Sequence, residues 1–253
     1  MQLNFKKSGQ GKPLIILHGL FGSADNWMGI AKNLEEDYTL YLVDQRNHGD
    51  SPHSEEWNYE AMAEDLRELL DAEGLESVYL LGHSMGGKTA MKMALMYPKR
   101  VKKLVVADIA PRAYPVHHQT ILKALNAVDP EKLKSRKEAE DILAQYIAER
   151  GIRQFLLKNL TRSEGGFAWK INLPVITQQI ENVGEAIDSE KPFENPVLFM
   201  GGANSDYIQE KDKADIERIF PENHLVYIKN AGHWLHAEQP DAVVATLKAF
   251  LDA

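Results

Sequence analysis

The stretch Gly82-His83-Ser84-Met85-Gly86-Gly87 decides how the rest of the chain is read. It follows a short apolar run, Val78 to Leu81, and precedes a helical pattern from Lys88 to Tyr97. G-x-S-x-G between a strand and a helix is a nucleophile elbow, a tight, strained turn that lifts one serine hydroxyl above a sheet. Glycine flanks the serine because the turn is crowded and because left-handed backbone costs least without a Cβ. Ser84 is therefore the candidate nucleophile. The backbone N–H of Met85, next in the chain, is a candidate donor to a developing oxyanion.

The pattern continues on both sides of the elbow. Leu3 and Phe5 alternate with polar neighbours like a short edge strand. Short apolar runs follow at Pro13–Leu17, Thr39–Val43, Leu104–Ala107, Val197–Met200 and Leu225–Ile228. Continuous runs of this length suit strands buried on both faces, as in a parallel sheet. Helical periodicity appears over Ala61–Ala72, Glu210–Ile219 and Asp241–Leu251 as well as after the elbow. Strands alternating with helices predict an α/β fold, a doubly wound and mostly parallel sheet. The alternation stops between about residues 112 and 191, where no strand pattern is evident. Helices are predicted there over His117–Ala127, Ser135–Glu149, Ile152–Asn159 and Leu173–Ile187. Active sites of such sheets lie at the carboxyl ends of the strands. Residues 112–191 are thus expected to form a helical cap over a core made of residues 1–111 and 192–253.

Composition narrows the function classes. A formal net charge of −8 over 253 residues argues against a nucleic-acid partner, because phosphate binding needs a basic face. The chain has no cysteine, so disulfides, thiolate metal sites and a sulfur nucleophile are all excluded. The opening MQLNFKKSGQ lacks the apolar core of a secretion signal, and no apolar run is long enough to span a membrane. A cytoplasmic protein, monomeric or homodimeric and acting on a small molecule, is the expectation.

A serine becomes a nucleophile when a base takes its proton. His233, in Asn230-Ala231-Gly232-His233-Trp234 after the last strand run, is the candidate base. His236 is expected to pack near this loop, and His224 to sit in a polar turn. The loop His18-Gly19-Leu20-Phe21-Gly22 after the second strand run supplies a second oxyanion donor, the N–H of Leu20, with His18 bracing the loop. Asn26 and Trp27 are expected to begin a helix beneath it. Apolar and aromatic residues expected to line a pocket are Phe21, Tyr114, Phe155, Trp169 and Trp234, with Phe167 and Leu173 as further cap candidates. The pair His117-His118 has no acidic or histidine partner at ligand spacing, so no metal is expected.

These motifs resemble the α/β-hydrolase superfamily along the full chain. HGLFGSADNW (18–27), VDQRNHGDS (43–51), GHSMGGK (82–88), ADIAP (107–111) and GGANSDYI (201–208) look like the small YbfF-type carboxylesterases. That resemblance implies a helical cap, cleavage of short acyl esters and in some cases thioesters, and no cofactor. It also implies an acid partner for His233. In most of the superfamily the acid lies in a G-x-x-D turn after the cap, but here Ser205 occupies that place and Asp206 comes one residue later. The alternative is Asp108, in a D-x-x-P segment at the end of the strand next to the elbow strand. Neighbouring strands are only about 4.8 Å apart, so its carboxylate could reach the histidine loop. Asp108 is preferred and Asp206 is the alternative. Asp44 and Arg46 are expected to form a structural ion pair.

The reading is a serine hydrolase that cleaves short to medium acyl carboxylic esters, or thioesters, through an acyl-enzyme on Ser84. Its rivals are a C–C bond hydrolase or perhydrolase of the same fold, and a ligand-binding receptor on a hydrolase scaffold.

Overall fold

A computed structural model describes residues 1–253. The first half of the chain runs β1 (Phe5–Gly9), β2 (Lys12–Leu17), α1 (Met28–Ala31), β3 (Tyr38–Val43), α2 (Tyr59–Ala72), β4 (Val78–His83), α3 (Met85–Met96) and β5 (Val101–Ala107). Between β5 and the next strand of the main sheet come α4 (Gln119–Asn126), α5 (Arg136–Ala144), α6 (Arg150–Leu157), β6 (Leu160–Ser163), β7 (Gly166–Trp169) and α7 (Leu173–Gln178). The chain then closes with β8 (Val197–Gly202), α8 (Lys213–Ile219), β9 (Asn223–Ile228), α9 (Leu235–Glu238) and α10 (Pro240–Asp252).

Seven strands form one sheet in the order β1-β3-β2-β4-β5-β8-β9. Only β1, at the edge, is antiparallel to its neighbour; the other pairings are parallel. The apolar runs are buried on both faces because alternate side chains feed two cores. On one face Ile15, Leu17, Tyr41, Val43, Leu80, Leu104, Val106 and Phe199 join α2, α3 and the 112–191 insertion. On the other, Leu14, Ile16, Leu40, Leu42, Leu81, Val105 and Met200 pack against Trp27, Leu34 and α10. No helix is long and apolar enough to cross a membrane.

Four sequence expectations need correction. The insertion is not wholly helical: β6 and β7 pair as a two-stranded hairpin, Leu160 opposite Trp169 and Ser163 opposite Gly166. Its signal was Glu164-Gly165 between two short alternating segments, each only four residues long, too short to show period two. Asp44 and Arg46 do not pair. Arg46 forks onto Asp65, with Nε–Oδ2 at 2.6 Å and Nη2–Oδ1 at 2.9 Å. Asp44 instead accepts from the N–H groups of Ala24 and Asp50 and from Asn4 Nδ2. His224 lies on β9 rather than in a turn. At the elbow, the left-handed backbone belongs to Ser84 itself, at φ 54° and ψ −118°, not to its glycines. Gly82 and Gly86 are required by crowding alone. A Cβ on Gly86 would stand 2.5 Å from the His18 carbonyl oxygen and 2.7 Å from that of Leu17, and one on Gly82 would collide with Gly86.

Candidate active site

The sheet order places the site. Strands β2, β4, β5, β8 and β9 lie side by side, and each delivers one segment at its carboxyl end. These are the Gly19–Leu20 loop after β2, Ser84 after β4, Asp108 after β5, Ser205 after β8 and His233 after β9. Residues as far apart in sequence as 18 and 233 therefore meet at one rim, as the topology of open parallel sheets requires. Several are held in uncommon backbone conformations: Phe21, Ser84 and Asp108 have φ of 60°, 54° and 50°. Positive φ in non-glycine residues costs energy and gathers at functional sites.

The carboxylate that meets His233 is that of Asp108. His233 Nδ1 stands 2.7 Å from Asp108 Oδ2. Asp108 is fully buried, and three donors converge on it. The N–H of Gly202 donates to Oδ1 at 2.9 Å, while the Ser205 hydroxyl and the His233 ring donate to Oδ2 at 2.5 Å and 2.7 Å. A buried carboxylate survives only with such compensation. Because the carboxylate accepts from Nδ1–H, the proton of a neutral His233 sits on Nδ1 and leaves Nε2 as the acceptor. Asp206 is exposed and makes no hydrogen bond to His233; its carbonyl accepts from Gln209 Nε2 at 2.9 Å.

A cavity of about 650 Å³ opens over this rim and is lined by Ser84, His233, Leu20, Met85 and Asp206 among others. The N–H of Leu20 donates to no backbone carbonyl, Met85 as the first residue of α3 has no acceptor within its own helix, and both residues line the cavity. The Gly19–Leu20 loop is braced by His18, whose Nε2 accepts from the Gln45 N–H at 3.0 Å while its carbonyl accepts from Gln45 Nε2 at 2.7 Å. Trp27 closes a 3₁₀ turn beneath the loop, stacked on His236 with ring centroids 4.4 Å apart.

Of the expected pocket residues, Phe21, Tyr114, Phe155 and Trp234 line the cavity. Trp169 does not. It lies on β7 and packs against the main core. Phe167 and Leu173 are likewise buried in that core. Residues without a motif of their own also face the site. Tyr207 stacks on His233 at 4.1 Å between centroids and 22° between planes, and its carbonyl accepts from the Tyr114 hydroxyl. Ser205 stands where an acid is expected, and its hydroxyl donates to Asp108 instead. Lys88, one turn beyond Ser84, is buried against the cavity, where burial and then Arg112 bring it down to about 7.

Comparison with known proteins agrees with this architecture. Residues 12–138 match the family described as alpha/beta hydrolase fold. The chain is 41% identical to the sn-1-specific diacylglycerol lipase ABHD11 of Mus musculus over 94% of this chain and 80% of that protein. It is 40% identical to the esterase YbfF of Escherichia coli (strain K12), covering 95% of this chain and 93% of the other. Among solved structures, one titled marine microorganism esterase superposes with a TM-score of 0.97 at 48% identity, over 99% of both chains. The chain belongs to the alpha/beta hydrolase family, among its esterases and lipases.

Proposed function

We propose that this chain hydrolyses carboxylic esters of short to medium acyl length through an acyl-enzyme on Ser84. The observation that carries the proposal is the 2.7 Å contact between His233 and the buried Asp108 at the wall of the cavity that also exposes Ser84. In the proposed first step the Ser84 hydroxyl passes its proton to His233 Nε2 as its oxygen bonds to the ester carbonyl carbon. The carbonyl oxygen becomes an oxyanion that accepts from the N–H groups of Leu20 and Met85. The C–O bond to the alcohol then breaks, and the imidazolium returns its proton to the departing oxygen. Water repeats the sequence on the acyl-enzyme and restores Ser84. Asp108 keeps the ring in one tautomer and opposes its transient positive charge.

The apolar lining, with Ile121, Ile152, Phe155 and Leu156, favours hydrocarbon acyl or alcohol groups over polar ones, and the volume suits a small to drug-sized ligand. Thioesters offer the same carbonyl to the same machinery, and residues 112–191 act as the cap of the pocket. The test is hydrolysis of p-nitrophenyl butyrate. Ser84→Ala is expected to lose at least about 10⁴-fold in kcat. Turnover retained in that variant would remove Ser84 from the chemistry. A wild-type chain that binds esters tightly without turning over any would favour a receptor on the same scaffold.

A further inference from the structure

His83, immediately before the nucleophile, is buried within the site but takes no part in the steps above. Its Nε2 lies 2.8 Å from the carbonyl oxygen of His233. A carbonyl only accepts, so the His83 ring carries its proton on Nε2 and donates it. That single bond joins the elbow to the loop of the candidate base across 150 residues of sequence.

His83 also packs against other segments of the same site. A Cβ on Gly19, in the oxyanion loop, would stand 3.0 Å from His83 Nδ1 and 3.3 Å from Ser84 Cβ. The oxyanion loop therefore closes directly on this ring and on the nucleophile. The His83 ring centroid lies 4.7 Å from that of His233 and 4.8 Å from that of His236, while His236 is stacked on Trp27. Tyr207 stacks on His233 as well, so the His233 ring is held by two aromatic neighbours. Burial, and after it the neighbouring His233 and His236, holds His83 well below the ordinary imidazole range. The ring next to His233 thus stays neutral when His233 becomes an imidazolium. A second positive charge at that spacing would oppose the proton transfer.

We propose that His83 is a positioning residue for hydrolysis, its Nε2–H holding the main chain of His233 in register with Ser84 and with the oxyanion loop. The proposal rests on the serine-hydrolase reading of the same site. Asp108 fixes the His233 ring through Nδ1 and Tyr207 through its face, while His83 fixes the backbone that carries the ring. Misplacement by a fraction of an ångström at such a centre costs rate rather than binding, so the signature is a kcat effect.

The test compares His83→Gln, whose side-chain amide nitrogen reaches as far as the histidine Nε2, with His83→Asn, whose amide falls short, and with the donor-free His83→Leu. On p-nitrophenyl butyrate, H83L and H83N are expected to lose about 10- to 100-fold in kcat with KM within about threefold. H83Q is expected to recover to within about fivefold of wild type. The H83Q–H83N pair decides the matter even where leucine fails to fold, since both are polar and smaller than histidine. A readout independent of turnover is the downfield proton resonance of the His233–Asp108 hydrogen bond, recorded in Ser84→Ala. It is expected to survive H83Q and to shift or broaden with H83N. Equal activity in H83Q and H83N, or a loss confined to KM, would overturn the proposal. Activity persisting in Ser84→Ala alone would instead count against the serine-hydrolase reading.

Discussion

At the scale of single residues, two candidates for the acid differ sharply in their surroundings. Asp108 is fully buried with three donors, whereas Asp206 is exposed. Asp108→Asn is expected to lower kcat on p-nitrophenyl butyrate by about 10²- to 10⁴-fold, because an amide no longer enforces the reactive tautomer. Asp206→Asn is expected to stay within about threefold of wild type. The opposite ranking in a steady-state assay would transfer the acid role to Asp206. Much of this was legible beforehand. The elbow motif marked Ser84, the Gly-His-Trp end of the last strand marked His233, and strand adjacency together with the D-x-x-P segment of the esterases that the chain resembles pointed to the carboxylate. What could not be read were contacts made by side chains with no motif of their own. Tyr207 stacks on His233 only because the β8 and β9 loops meet in space. The hydroxyl of Ser205 matters only because Asp108 arrives from another strand.

At the scale of elements, the elbow helix organises its surroundings. Lys88 reaches from α3 to the carbonyls of Arg112 and Gly184, at 3.1 Å and 3.4 Å, and to that of Glu185. Those carbonyls belong to the two ends of the insertion, so one buried lysine side chain ties both ends to the helix that follows Ser84. Lys88→Met keeps the length but strands these acceptors. A loss of about 1–3 kcal/mol is expected, with limited proteolysis speeding up within residues 112–191 while the sheet stays resistant. Proteolysis that begins in the sheet, or stability equal to wild type, would show that the lysine does not hold the insertion. The helices of this region were legible from apolar periodicity, although two predicted spans, 135–149 and 173–187, end as helices at Ala144 and Gln178. The hairpin between them was hidden. Its strands are only four residues each, too short for the alternation of Phe167 and Trp169 to stand out as period two.

At the scale of the whole molecule, five of the nine histidines, at positions 18, 48, 83, 118 and 236, are held below the ordinary imidazole range, burial being the first cause in each. His48 is brought down to about 3 and His236 to about 4. An unfolded chain would protonate them near 6.5. Above that pH both states leave them neutral and stability is complete. As pH falls from about 6.5 towards 4 the unfolded chain binds protons that the folded chain refuses, so stability drains away. His48 and His236, at about 3 and about 4, each account for about 2 kcal/mol at pH 5. The melting temperature is expected to fall by at least about 10 °C between pH 7.5 and pH 5. A flat profile over that range would mean that these rings take up protons without unfolding. The sheet order itself was not legible, because alternation of strands and helices predicts parallel pairing but not which strands become neighbours. That order is what brings five distant segments to one rim.

The central claim is that Ser84 forms the covalent intermediate. Its most direct measurement is peptide mass mapping after treatment with a p-nitrophenyl phosphonate, a tetrahedral mimic of the attacked ester. The account predicts a single adduct on Ser84, formed in step with the loss of esterase activity and absent from Ser84→Ala. An adduct on another residue, or full inactivation with Ser84 unmodified, would contradict it.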